Sequence, residues 1–148
     1  MAPGMHELSS AARAELDRML ETSLRMAKGH LDRASEFDPF SLVTDRDGRL
    51  LAVDLDKSGL GKHPDSELIA AALVGQLRHI ADTLRCTALT VNSRLSEEKT
   101  DALEVRLEHR EGAAVLVLLP YKRPTFGGII EYGELRVFPS PVEIWTVS

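Results

Sequence analysis

The sequence predicts an α+β domain: two helices and a largely antiparallel sheet of five or six strands, in the order α-β-β-α-β-β-β, with one further strand in the six-stranded form. Three observations carry this. Two stretches, residues 10–34 and 64–84, repeat apolar residues at spacings of three and four, the period of a helix face. An Asp47-Gly48 pair lies between two short apolar runs, a strong hairpin signal. After residue 86 the chain alternates apolar and polar positions, the period of a strand.

The first helix should bury Leu16, Met19, Leu20, Leu24, Ala27 and Leu31, with Ser9 or Ser10 capping its first turn. Asp38-Pro39 ends the segment, because the residue before a proline is pushed out of the helical region. Residues 41–44 and 49–55 are the arms of the hairpin. The second helix should start with Pro64 at its first position, with Asp65 and Glu67 complementing the helix dipole. Gly75 in its middle costs about 1 kcal/mol against alanine, which predicts the close approach of another backbone.

Three strands follow, at residues 87–95, 102–109 and 113–119, the last two joined by Arg110-Glu111-Gly112. The unbroken apolar run of 113–119 predicts burial on both faces, hence a strand that is central or covered by more than one layer. Residues 129–138 form one more strand, bulged at Gly133. Both helices are expected on one face of this sheet. The chain reads as a single domain over 1–148, with 1–9 unanchored and a tail at 139–148 docking on the domain around Trp145.

Composition narrows the function. Net charge is −5 with a pI of about 5.5, which disfavours nucleic acid as a partner and an anionic membrane as a surface. Cys86 is the only cysteine, so no internal disulfide framework is possible and a reducing, cytoplasmic compartment is expected. The N-terminus lacks the pattern of a secretory signal, and no apolar run could span a bilayer. The histidines show no metal-ligand spacing, and Asp45-Arg46-Asp47-Gly48 lacks the later ligands of a calcium loop. No nucleophile elbow is present, and Gly59-Leu60-Gly61-Lys62 lacks the spacing of a phosphate loop. No catalytic residue, metal or cofactor is therefore assigned.

Candidate ligand-binding residues are Glu108, His109, Tyr121, Lys122, Arg123, Glu131, Tyr132 and Glu134. They lie near strand ends and could converge. A histidine beside carboxylates suits proton transfer, and Lys122 and Arg123 suit an anion. Alternating charges on an exposed strand face explain the same residues without any ligand.

The element order resembles profilin-like and Roadblock-type modules, and less closely the small acidic secretion chaperones. Asp101-Ala-Leu-Glu-Val-Arg-Leu-Glu-His-Arg-Glu-Gly112, Pro120-Tyr-Lys-Arg-Pro124 and Glu131-Tyr-Gly-Glu-Leu135 together resemble a pattern of small uncharacterised bacterial proteins. That likeness covers roughly the C-terminal third; it implies a bacterial origin and transfers no activity. The expected function is a non-catalytic protein-interaction module, self-associating as a homodimer. The alternatives are a small-ligand binder or enzyme using His109, Tyr121 and Glu131, and a chaperone-like binder of a partner segment.

Overall fold

The structure is a computed structural model, and it describes residues 8–146. Its elements run α1 (Ser10–Arg33), β1 (Phe40–Asp45), β2 (Leu50–Val53), α2 (Ser66–His79), a 3-10 turn (Ala81–Thr83), β3 (Leu84–Leu95), β4 (Thr100–His109), β5 (Ala113–Lys122), β6 (Glu131–Tyr132) and β7 (Arg136–Pro139). All pairings are antiparallel, in the order β2-β1-β3-β4-β5-β6, with β7 also on β5. The α+β class and the element order are those the periodicity predicts.

Local chemistry fixes the element ends. The Ser9 hydroxyl accepts the Ala12 N–H at 3.1 Å, capping α1. In the hairpin the Asp45 carboxylate accepts the N–H groups of Asp47 and Arg49, both at 2.9 Å, while Gly48 takes the positive φ of +85°. For α2 the cap is Asp65, which accepts the Leu68 N–H at 2.8 Å. Pro64 thus precedes the cap instead of occupying the first helical position, and the helix stops at His79, five residues short of the sequence expectation. Leu8 and Ser9, expected in an unanchored leader, are held: Leu8 is buried in the core and Ser9 is the cap. The remainder of that leader, 1–7, and the tail's last two residues lie outside the described residues.

The helices do not share a face. Alternate residues of β1 divide between them: Leu42 packs with Leu16 and Met19 of α1, and Val43 with Leu77 of α2. β3 divides in the same way, with Cys86 and Ala88 toward α1 and Leu89 and Val91 toward Ile69 and Leu73 of α2. The cause is topological. β2 and β3 flank β1, so the β2-α2-β3 connection must cross over β1, and α2 comes to rest on the face that α1 leaves free.

The doubly covered strands are therefore β1 and β3, whose middles are buried without a break. β5 is not one of them. Ala113, Val117, Leu119 and Tyr121 are buried on its α1 side, while Ala114, Leu116 and Leu118 are half-exposed on the other. Its apolar run reflects a sheet face that α2 does not reach. Gly75 has no atom within 4 Å of the place a Cβ would take, so no backbone approach explains it.

The predicted bulge near Gly133 is present. Tyr121 pairs with Tyr132, but Leu118 pairs with Arg136, so one extra residue separates β6 from β7. The bulge keeps Tyr132 on the α1 side with Tyr121 and places Val137 opposite Val117 on that same side.

Candidate functional site

The eight candidate residues do not form one site. Asp101 pairs with Tyr121 and His109 with Ala113 at opposite ends of the β4-β5 ladder. Eight residue steps separate those ends, about 26 Å at the usual strand rise.

At the first end, β4 delivers Glu108 and His109 to opposite faces. The Glu108 carboxylate is buried and accepts the backbone N–H groups of Glu143, Ile144 and Trp145 at 2.7 to 3.1 Å. The Trp145 indole N–H donates to the Ala81 carbonyl at 3.3 Å. The tail thus docks on the domain around a buried carboxylate, its apolar Ile144 joining Leu77, Ala81 and Leu84. Glu108 is occupied by structure.

On the α1 side, His109 Nδ1 accepts the Glu111 N–H at 3.1 Å, and its Nε2 lies 3.1 Å from the Glu15 carboxylate. In the neutral ring the proton therefore sits on Nε2 and is donated to Glu15. Arg85 grips the same carboxylate through two nitrogens, its Nη2 at 3.0 Å. Burial alone would raise the Glu15 pKa, but the Arg85 and His109 donors more than offset it and hold the carboxyl below its ordinary range. Glu111 accepts the N–H and hydroxyl of Ser9, which ties the start of α1 to the β4-β5 turn and lowers the Glu111 pKa.

Cys86 lies directly across the strand pair from His109, so the folded chain assembles a cysteine, a histidine and a glutamate. The geometry does not suit nucleophilic catalysis. Cys86 and His109 are essentially inaccessible, at 0% and 1% exposure. Both imidazole nitrogens have other partners, and burial pushes the thiol up to about 11.

At the second end, Tyr121 is buried and donates its hydroxyl to the Asn92 side-chain oxygen at 2.7 Å. Tyr132 stands beside it, with the Lys28 ammonium 4.6 Å from its ring centre. Burial raises the pKa of both phenols. Arg123 donates to the carbonyls of Leu31 and Ala34, both at 3.1 Å, satisfying the open C-terminus of α1. Lys122, Glu131 and Glu134 are exposed.

Tyr121, Lys122, Glu131 and Tyr132 are brought together around a cavity of about 230 Å³, with Thr100, Pro120 and Gly133. A larger open space lies beside this second end, among residues the sequence did not single out. β1 stops at Phe40, opposite Thr90, while β3 runs on to Leu95. The shortfall leaves a cleft of about 670 Å³, lined by residues that include His30, Glu36, Phe37, Phe40, Lys57 and Asn92. His30, Phe37 and Phe40 form an aromatic wall with ring centres 5.5 to 5.8 Å apart. Lys57 pairs with Asp38 at the rim, at 3.0 Å. The one sequence signal was Phe37-Asp38-Pro39-Phe40, two aromatics around a helix-ending proline.

The second unpredicted feature is a set of exposed apolar side chains in the loop after β5 and in the segment through β7. Seven large apolar side chains are exposed among the described residues: Leu51, Leu68, Phe126, Ile129, Leu135, Val137 and Phe138. The last five fall within residues 126–138. Phe126 and Ile129, 92% and 88% exposed, flank Gly127 and Gly128, whose φ angles of +52° and +117° form the loop tip.

No described helix is long and apolar enough to cross a membrane. No protein-family model, curated protein or solved structure matches the chain.

Proposed function

We propose that this chain is a non-catalytic interaction module of a bacterial cytoplasm whose partner is a second copy of itself, bound through residues 126–138. The observation that carries the reading is the concentration of five of the seven exposed large apolar side chains in that one segment. Proteins that work as monomers rarely leave so many large apolar side chains exposed in one segment, and two of them, Val137 and Phe138, lie on a sheet-edge strand, where unpaired backbone groups invite association. β7 is such an edge, with β5 on one side and, among the described residues, no strand on the other. Its one charged residue, Arg136, is engaged by Glu98 through both of that residue's oxygens, at 2.6 and 2.9 Å. An antiparallel edge is self-complementary about a two-fold axis, the commonest symmetry of homo-oligomers.

The small-ligand or enzyme reading built on His109, Tyr121 and Glu131 loses His109, which stands at the far end of the ladder, while Tyr121 and Glu131 line one cavity. Sedimentation velocity across the micromolar range tests the proposal. A concentration-dependent dimer is expected, and Val137→Lys, which sets a charge on the edge, should shift it toward monomer. A strict monomer up to high micromolar concentration would overturn the reading.

A further inference from the structure

The backbone of β7 dictates how two copies can meet. We infer that they pair edge to edge and antiparallel, with Val137 of one opposite Val137 of the other, so that a single sheet runs through the dimer. This pairing rests on the self-association proposed above and gives it a register.

Hydrogen-bond parity along β7 sets which backbone groups face outward. The Ser140 N–H donates to the Ala114 carbonyl, and the ladder continues with Phe138 opposite Leu116, Val137 opposite Val117 and Arg136 opposite Leu118. In an antiparallel pair, residues that exchange bonds alternate with residues that do not. Phe138 and Arg136 therefore turn their N–H and C=O groups toward β5, and Val137 and Pro139 turn theirs away. Pro139 has no N–H, and it stands where that lack costs the β5 pairing nothing. Val137 is thus the one residue of β7 that offers a further strand both a donor and an acceptor.

That leaves one favourable register. A two-fold axis at Val137 joins its N–H to the second copy's Val137 carbonyl and the reverse. An axis one residue later sets Val137 opposite Pro139, and the Val137 carbonyl then finds no donor. An axis one residue earlier sets the two Arg136 side chains directly opposite, like charge against like. With the axis at Val137 the side chains match as well. The exposed Val137 meets its own copy on the α1 side. On the other face each Arg136, its guanidinium held by both oxygens of Glu98, stands opposite the exposed ring of the second copy's Phe138, a cation beside an aromatic face.

Disulfide trapping reads the register. Cys86 is buried, so oxidation of the parent chain should give no covalent dimer. Val137→Cys should form one at least about tenfold faster than Arg136→Cys or Phe138→Cys alone, because opposed Cα atoms lie about 5.5 Å apart and the offset pairs exceed bridging range. An equimolar mixture of Arg136→Cys and Phe138→Cys should give mostly the mixed dimer. Val137→Pro removes the outward N–H and no bond to β5, so it should weaken dimerisation in sedimentation velocity at least about tenfold. Val137→Ile keeps the N–H and should dimerise like the parent chain. Circular dichroism melting confirms that each variant folds. Fastest trapping at position 136 or 138, or a folded Val137→Pro chain that dimerises like the parent, would overturn the pairing and leave self-association standing. A parent chain that stays monomeric would overturn both.

Discussion

The two ends of the β4-β5 ladder contrast in how their polar and apolar groups are satisfied. At the His109 end almost everything is used: Glu15 holds Arg85 and His109, Glu111 holds Ser9, and Glu108 holds the backbone of the tail. At the Tyr121 end the buried phenol and Arg123 are satisfied, but beside them lie an open cleft and a loop whose two large apolar side chains touch little. Cys86 and His109, which look most catalytic, are buried and partnered, and the cleft and the cavity beside Tyr121 sit at the other end. A saturated network spends its groups on holding the fold; unsatisfied surface remains free for a partner.

Substitutions at the two ends should separate these roles. The largest effect is expected from Glu108→Ala, which leaves three backbone N–H groups of the tail without their acceptor. Losing hydrogen bonds to a buried charge should cost on the order of 2–4 kcal/mol, measured by urea titration. The Trp145 emission should shift to the red as the indole leaves Ala81. If stability and emission both stay put, Glu108 does not hold the tail.

An intermediate effect is expected from Glu15→Gln, and it should depend on pH. The folded pKa of Glu15 is depressed below its ordinary value of 4.5. Its contribution is therefore fully present above that value and is lost as pH falls through the folded value. The parent chain should lead the variant in stability at neutral pH by roughly 1–2 kcal/mol, and the two should converge under acid. A gap that persists unchanged to low pH would mean that the ionised carboxylate is not what stabilises this corner.

The smallest effect on stability belongs to the open end. Ile129→Ser should change the unfolding free energy of the monomer by less than about 0.5 kcal/mol, as for surface positions without packing partners. A larger loss in dilute solution would mean that the loop packs on its own subunit.

Much of the fold was legible from local pattern. The α1 stripe, the Asp47-Gly48 turn, the β3-β4-β5 meander and the bulge near Gly133 all follow from spacings within a few residues, where backbone sterics and side-chain period act directly. The candidate site was legible only as a set of residue types. Glu108 and His109 are neighbours in sequence, yet the strand's period of two sends one to the tail and the other to α1. Tyr121 was read as a candidate ligand-binding residue from its type alone, and the partner of its hydroxyl, Asn92, lies 29 positions away.

The sequence by itself determined the elements, their order and the hairpin register, because each depends on interactions that close within a turn or a strand pair. Only the tertiary structure decided which strands are covered twice, where the buried ionisable residues find partners and where the cleft opens. The β2-α2-β3 crossover sets α2 against β1 and β3, and that single placement buries their second face while leaving that of β5 half-exposed. Glu15 meets Arg85 and His109 across 70 and 94 residues. Such distances carry no periodic signal, since they are set by how layers pack and not by how the chain repeats.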